Sequence, residues 1–516
     1  MSKITNGPLP AEDTRIKSIV IVGGGTAGWM AAATLANRLS ESITRITLVE
    51  STQIGTIGVG EATVPYIKEF LLDLGIDEVE FMRATNATYK LGIAFQGWKN
   101  ASHSFMHPFA GYGSRIAKIP FHHYWYKMQK LGKAKSLDAY CLGSQIAVNN
   151  KFALPKPNTE LEQASFNYAF HFDAGLFANF LSDYSQKAGV KRVEANVTQV
   201  QQNTDTGFIQ TLSLDNDETL EADLFIDCSG FKGLLIEETL HTGFEDWGQW
   251  LKCNRAVALP CEATQAPSAY TRSLACEAGW QWKIPLQNRT GNGHVYASDY
   301  ISDEKALAQL EQQLEGAPLA EAKVINFKTG MRKQVWNKNV FALGLASGFM
   351  EPLESTSIYM IQSALNALVN HFPNKHFPPR LNNIVNNQLA ERQYRLRDFL
   401  ILHYSANKRF GERLWDDCRT MMLPSSLQEK IEHYKEVGQP AVDELDFFGV
   451  NSWLAMFAGF GVESKYYHPR VDDLDTRIVE KELHNIALSI EKAVANLPSH
   501  AQFLENNITQ INTTNY

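Results

Sequence analysis

The residues placed to do chemistry earliest in the chain are glycines. Gly23, Gly25 and Gly28 fit GxGxxG within Val22-Gly23-Gly24-Gly25-Thr26-Ala27-Gly28-Trp29. In such a turn the first glycine permits a sharp bend and the second lets a pyrophosphate approach the backbone. The third lets the following helix pack on the preceding strand. Phosphates then meet free N–H groups and the positive end of the helix dipole. Gly24, Thr26 and Ala27 complete the cradle. Glu50 lies roughly twenty residues further on, where an acid accepts from a ribose hydroxyl. Adjacent His122 and His123 invite a metal reading. In a strand, however, neighbours face opposite sides, so they read as packing or surface residues. The six cysteines (141, 228, 253, 261, 276 and 418) are scattered with no CxxC. They read as reduced thiols of a cytoplasmic protein, with no zinc site.

The elements that must hold these groups follow from patterning. Residues 19–22 are four aliphatics in a row, a buried parallel strand. Residues 29–39 read as a helix and 45–49 as a second strand ending at Glu50. Residues 55–65 are too rich in glycine for a helix, and a helix is expected over 66–74. Alternation predicts one strand over 86–98, with Tyr89, Leu91, Ile93 and Phe95 on one face and Lys90 on the other. Residues 101–165, rich in aromatics, His and Gly, carry no clear assignment. A helix is expected over 174–188, with strands over 191–200 and 207–214. Residues 223–230 and 339–346 read as buried strands ending in small residues, the pattern of a ligand-binding carboxyl edge. A helix over 358–369 follows. Prolines 373, 378 and 379 mark a boundary, and helices are expected at 381–403, 424–436 and 475–495. The stretch from Asn506 and residues 1–15 read as frayed.

The chain of 516 residues suffices for two or three domain-sized units. Its net charge of −8 leaves no basic footprint for nucleic acid. Residues 1–17 hold no apolar signal core, and the longest apolar run, 340–350, is too short to span a bilayer. Spacing alone supports an FAD or NAD protein. One βα unit followed by two later sheet strands favours a flavoprotein built like the aromatic hydroxylases.

Further motifs carry a resemblance. Trp280-Gln281-Trp282-Lys283-Ile284-Pro285 resembles the WxWxIP signature of flavin-dependent halogenases, the tryptophan halogenase family. Residues 23–29 resemble its GxGxxGW, 58–65 its GVGEATxP, and 86–90 the segment with its catalytic lysine. Glu351-Pro352-Leu353-Glu354-Ser355-Thr356 resembles EPLEST. Arg397-Asp398-Phe399 with His403-Tyr404 resembles a C-terminal stretch.

The resemblance implies an α/β fold. An FAD-binding Rossmann-like domain of the flavin monooxygenase type (16–375) would interleave with a substrate-side sheet, and a mostly helical module (376–516) would follow. It implies that a separate reductase supplies FADH2, which reacts with O2. Chloride or bromide becomes hypohalous acid, which crosses a tunnel to Lys90 beside a small, electron-rich aromatic such as an indole. Lys90 would act as an ammonium that hydrogen-bonds hypohalous acid or as an amine that carries the halogen. Glu354 would take the ring proton or orient the halogen donor. Ser355 would lie between the flavin and substrate sides, and Thr356 and Ser357 would bind halide. Glu61, Val197 and Leu345 would line the flavin. Trp280 and Trp282, with Ile284 and Pro285, would keep the organic substrate from the flavin.

Two departures stand out. Ser357 replaces a glycine of the tryptophan-specific members, and Ser452-Trp453 stands where they carry a Tyr-Tyr pair, within the apolar stretch 451–459. Two rival readings are a single-component FAD hydroxylase and a non-catalytic flavin-binding protein. No metal, nucleic acid or membrane partner is expected, and a homodimer is left open.

Overall fold

The computed structural model describes residues 13–51, 60–156 and 165–509. Residues 1–12, most of the glycine-rich loop before Gly60, and the last seven residues lie outside the described part.

The strand Ser18–Val22 is buried on both faces. Ile19 and Ile21 join the cluster around Trp29 and Leu35, while Val20 and Val22 pack with Val193, Ile209 and Leu212. That two-sided burial is why the strand reads as an uninterrupted aliphatic run. It forms the centre of a six-stranded sheet ordered Trp336–Asn337, Val340–Ala342, Leu224–Asp227, Ser18–Val22, Arg45–Glu50, Lys191–Glu194. All its pairings are parallel except the first. Helix Thr26–Arg38 packs on it beside Ala174–Lys187 and Ser357–Asn370.

A second, larger sheet is mixed. Its core is the antiparallel set Arg255–Ala258, Arg289–Tyr296, Gly279–Pro285 and Thr271–Cys276, extended in parallel by Gly92–Gln96 and then by Ser104–Pro108. Ala169–Asp173 pairs with Gly60–Ala62 on one side and Thr88–Lys90 on the other, a small sheet whose strand Gly60–Ala62 lies against Gly279–Pro285 and Arg289–Tyr296 of the mixed one. The predicted strand over 86–98 is therefore two. It breaks at Leu91, whose N–H leaves its own ladder to donate to Ala269 O at 2.8 Å. The expected strand over 191–200 also breaks, because Ala195 N donates to Glu50 O and Asn196 bonds Asp215.

Helix Pro379–Ser405 leads the C-terminal third, followed by Arg413–Thr420, Ser425–Val437, Val450–Phe460 and Thr476–Ala495. One continuous hydrophobic cluster runs from Ile16 through these helices to Ile508. Asn506 to Thr509 form a helical turn with Ile508 buried, where fraying was expected. His122 and His123 sit in helix Phe121–Lys130, not in a strand. Their rings lie 4.1 Å apart and both are buried. Burial pushes them down to about 3 and about 4, so they are neutral packing groups. Among the described residues no helix is long and apolar enough to cross a membrane.

Candidate active site

The glycine turn has the geometry its spacing predicts. A Cβ on Gly28 would meet Gly23 O at 1.8 Å, so only glycine lets helix and strand approach this closely. A Cβ on Gly25 would meet nothing within 4 Å, which leaves room for a ligand over the backbone. The turn opens into a cavity of about 710 Å³. At one end it is lined by Gly23 to Ala27, Glu50, Glu61, Val197 and Leu345. Glu50 Oε1 accepts from Arg192 Nε at 2.6 Å, and its other oxygen lies against Gly24. Burial pushes the Glu61 carboxyl up to about 7. A strand-end cradle, an uncapped helix start and an acid at the second strand suit an extended dinucleotide.

The same cavity is also lined by Trp280, Trp282, Ile284, Ser355, Thr356 and Ser357. Trp280 and Trp282 share one face of Gly279–Pro285, their rings 6.2 Å apart. Helix Ser357–Asn370 has no side-chain cap, so the N–H groups of its first turn are available to an anion. Ser355 has φ of 59°, a left-handed conformation that costs a non-glycine residue about 1–3 kcal/mol and is concentrated at functional sites.

Behind Ser355 lies Lys90. Its Nζ donates to Ser355 Oγ at 2.8 Å and to Thr63 O at 2.9 Å, and sits 5.2 Å from the centre of the Phe109 ring. Its side chain is wholly buried, where a surface strand would leave it solvated. Burial pushes it down to about 7, with the Glu354 charge acting the other way. Buried His171 lies nearby, between Thr88 Oγ1 and Thr271 Oγ1; burial, and then the Lys90 charge, hold it well below its ordinary value.

Glu354 ends the short turn Pro352–Glu354 and is also buried. Its Oε2 accepts from His107 Nδ1 at 2.8 Å and its Oε1 from His403 Nε2 at 2.7 Å. Burial alone would raise this carboxyl, but the two imidazoles override it and bring it down to about 2. His403 Nδ1 is 2.8 Å from Phe399 O. Phe399 and Phe448 stack at 3.9 Å and both lie within 6 Å of the His107 ring.

Lys90 and Glu354 thus stand together behind the cavity wall, with Ser355 between Lys90 and the cavity. Three expected tunnel residues do not line the cavity. Pro285 ends its strand, its carbonyl accepting from Thr88 Oγ1 at 2.7 Å. Ser452 is half-buried on helix Val450–Phe460. Trp453 is core, packed on Phe399 and Phe457 with Lys430 Nζ over its ring. The helical period turns Trp453 and Phe457 inward together. His107, Phe109 and His171 escaped the sequence reading, because nothing in their spacing ties them to residues 90 and 354, while Thr63 lies in the 58–65 segment, which assigns it no role.

The sequence profile of the tryptophan halogenase family matches residues 18–476. The chain is 38% identical over 512 residues to the tryptophan 6-halogenase SttH of Streptomyces toxytricini, covering 94% of this chain and 97% of that one. It is 34% identical to the tryptophan 7-halogenase RebH of Lentzea aerocolonigenes, covering 88% and 89%. Among solved structures, BrvH, a flavin-dependent halogenase from Brevundimonas sp. BAL3, superposes with a TM-score of 0.93 at 44% identity, covering 96% of this chain and all of that one. With the motifs, the fold and the match over nearly its whole length agreeing, this chain belongs to the tryptophan halogenase family.

Proposed function

We propose that this flavin-dependent halogenase passes hypohalous acid from the large cavity, past Ser355, to Lys90, and there halogenates an indole-type carbon. The observation that carries the reading is a buried Lys90 bonded to Ser355 Oγ, with Ser355 on the cavity wall. Amides of residues 23–28 would hold a pyrophosphate and Glu50 a ribose hydroxyl. Flavin bound there and delivered reduced by a separate reductase would supply, with O2, the oxidising equivalent that turns halide into hypohalous acid. Backbone N–H groups at Thr356 and Ser357 hold the halide. Trp280, Trp282 and Ile284 fill the space through which an organic substrate would otherwise reach the flavin.

At the far side, a Lys90 ammonium hydrogen-bonds the oxygen of hypohalous acid. The ring carbon bonds the halogen as the halogen–oxygen bond breaks. The departing hydroxide takes a proton from Lys90 and leaves as water. The ring proton passes to the Glu354 carboxylate. The reductase and a cytoplasmic setting belong to the same proposal.

The test is Lys90→Ala. Halogenation should vanish while oxidation of supplied FADH2 continues. Retention of more than a few per cent of the halogenating rate would remove Lys90 from the mechanism. Incubation with FAD and NADPH without reductase separates the rival hydroxylase, which alone would consume NADPH.

A further inference from the structure

Glu351, three residues before Glu354, has no part in the steps above, yet it is buried and half-satisfied. Its Oε2 accepts twice, from Trp280 Nε1 at 2.9 Å and from Tyr404 OH at 2.7 Å. Its Oε1 is buried without a partner. Burial pushes the carboxyl up to about 7, against the two donors. The elements it joins give this oxygen its importance. Trp280 lines the cavity, Tyr404 follows His403 on helix Pro379–Ser405, and Glu351 opens the turn that presents Glu354 and Ser355. Two consecutive residues of that helix therefore clamp both acids of one turn, His403 on Glu354 and Tyr404 on Glu351. Trp280 is tied to the same clamp through Glu351 Oε2. Its other ring contacts, Trp98 at 6.3 Å and Trp282 at 6.2 Å, carry no hydrogen bond to the indole N–H.

We infer that Glu351 is a positioning residue: through one carboxyl oxygen it locks the Trp280 indole to the turn bearing Glu354 and Ser355, and so governs how much hypohalous acid reaches the substrate. The role needs an acceptor at Oε2, not a charge. A glutamine supplies that acceptor, whereas an alanine does not. The consequence for turnover rests on the proposed tunnel; the lock on Trp280 does not.

The experiment uses the full chain with 15N-labelled tryptophan indoles and no flavin. The Trp280 signal is the one missing in Trp280→Phe. In the wild type its N–H should be protected from hydrogen exchange. Glu351→Ala should speed that exchange about tenfold, the scale of one lost hydrogen bond, and Glu351→Gln should restore protection. A second readout, in the reductase-coupled holoenzyme, is halogenated product per FADH2 consumed, with a soluble scavenger to capture escaped hypohalous acid. Glu351→Ala should shift at least half of the halogen from product to scavenger, and Glu351→Gln should shift far less. An unchanged Trp280 signal in Glu351→Ala overturns the inference. If Glu351→Ala does not fold, a folded Glu351→Gln that loses Trp280 protection overturns it equally. If the wild type yields neither product nor scavenged hypohalous acid, the functional reading fails, while the exchange result still decides the lock.

Discussion

Two of the three protons a Lys90 ammonium offers are already taken, by Thr63 O and Ser355 Oγ. The third is what remains for hypohalous acid. Burial brings Lys90 down to about 7, so that proton is lost within the working range. The sign follows from linkage: between about 7 and 10.5 the unfolded chain binds the proton and the folded one does not, so this lysine makes stability rise with pH there. Halogenation should move the other way, falling as pH rises through about 7, while oxidation of FADH2 shows no step at that pH. A rate that climbs through 7 would instead assign Lys90 to carrying halogen on a neutral amine. Glu354 stays ionised throughout, at about 2. Its contribution to stability is present above its unfolded value near 4.5 and is lost only as pH falls through about 2. So weak a base suits a strongly acidic ring proton and little else. Glu354→Gln removes the charge and sets an amide N–H₂ against one of two imidazole N–H groups. Turnover should fall about 10²-fold or more, the usual scale for a general base. A near-normal kcat would leave Glu354 as an anchor for His107 and His403 alone.

At the scale of an element, the uncapped start of helix Ser357–Asn370 is the halide site proposed above, and it carries a prediction of halide choice. Ser357 keeps the amide of the family's glycine but adds a side chain beside the anion. Bromide sheds hydration water more readily and is easier to oxidise, so bromination should exceed chlorination at equal halide. Ser357→Gly should narrow the gap, and equal or faster chlorination by the wild type would contradict the argument. Trp453 leads to a stability prediction instead of a tunnel prediction. Trp453→Ala should cost about 3–5 kcal/mol by emptying a packed aromatic site, read as a lowered denaturant midpoint. An unchanged midpoint would mean the helix reseals around the gap.

What could be read beforehand follows the range of the forces involved. The glycine turn, its strands and the long helices at 357–370 and 379–405 are set by local pattern, and they stand where the pattern put them. Lys90 on the face opposite Tyr89 was also legible. Its burial was not, because the cover comes from Thr63 and Ser355, far apart in sequence. The clamp on Glu354 joins residues 107, 354 and 403, which no period connects. In helix Phe121–Lys130, tertiary packing overrode an aromatic-rich composition that suggests a strand.

For the whole molecule, the question is what the assembled pocket can hold. One core runs through both the glycine-turn side and the C-terminal helices, and the C-terminal third brings Phe399 and Phe448 to the His107 ring and His403 to Glu354. Phe109 lies beside Lys90, and the Phe399–Phe448 pair lies against the His107 ring that binds Glu354, aromatic surfaces that suit a flat apolar ring. Helix Val450–Phe460, where the tryptophan-specific pattern places head-group partners, carries no charged residue and is largely buried. Lys430, whose Nζ lies over the Trp453 ring, is already bonded to Asp446 Oδ2 at 2.8 Å. A free amino-acid head group is a zwitterion, and each of its charges must find a partner on leaving water. Losing one charge-assisted contact costs about 1.5–3 kcal/mol, which is about tenfold or more in affinity. Indole alone, or an indole within a larger molecule, carries no such requirement and keeps every contact with the aromatic walls. Turnover should therefore be higher on indole than on free L-tryptophan. Side-by-side kinetics with one halide and one reductase settle the point. If kcat/KM for tryptophan exceeds that for indole by tenfold, charged partners for the head group lie elsewhere in the pocket, and the apolar character of helix Val450–Phe460 does not set substrate choice.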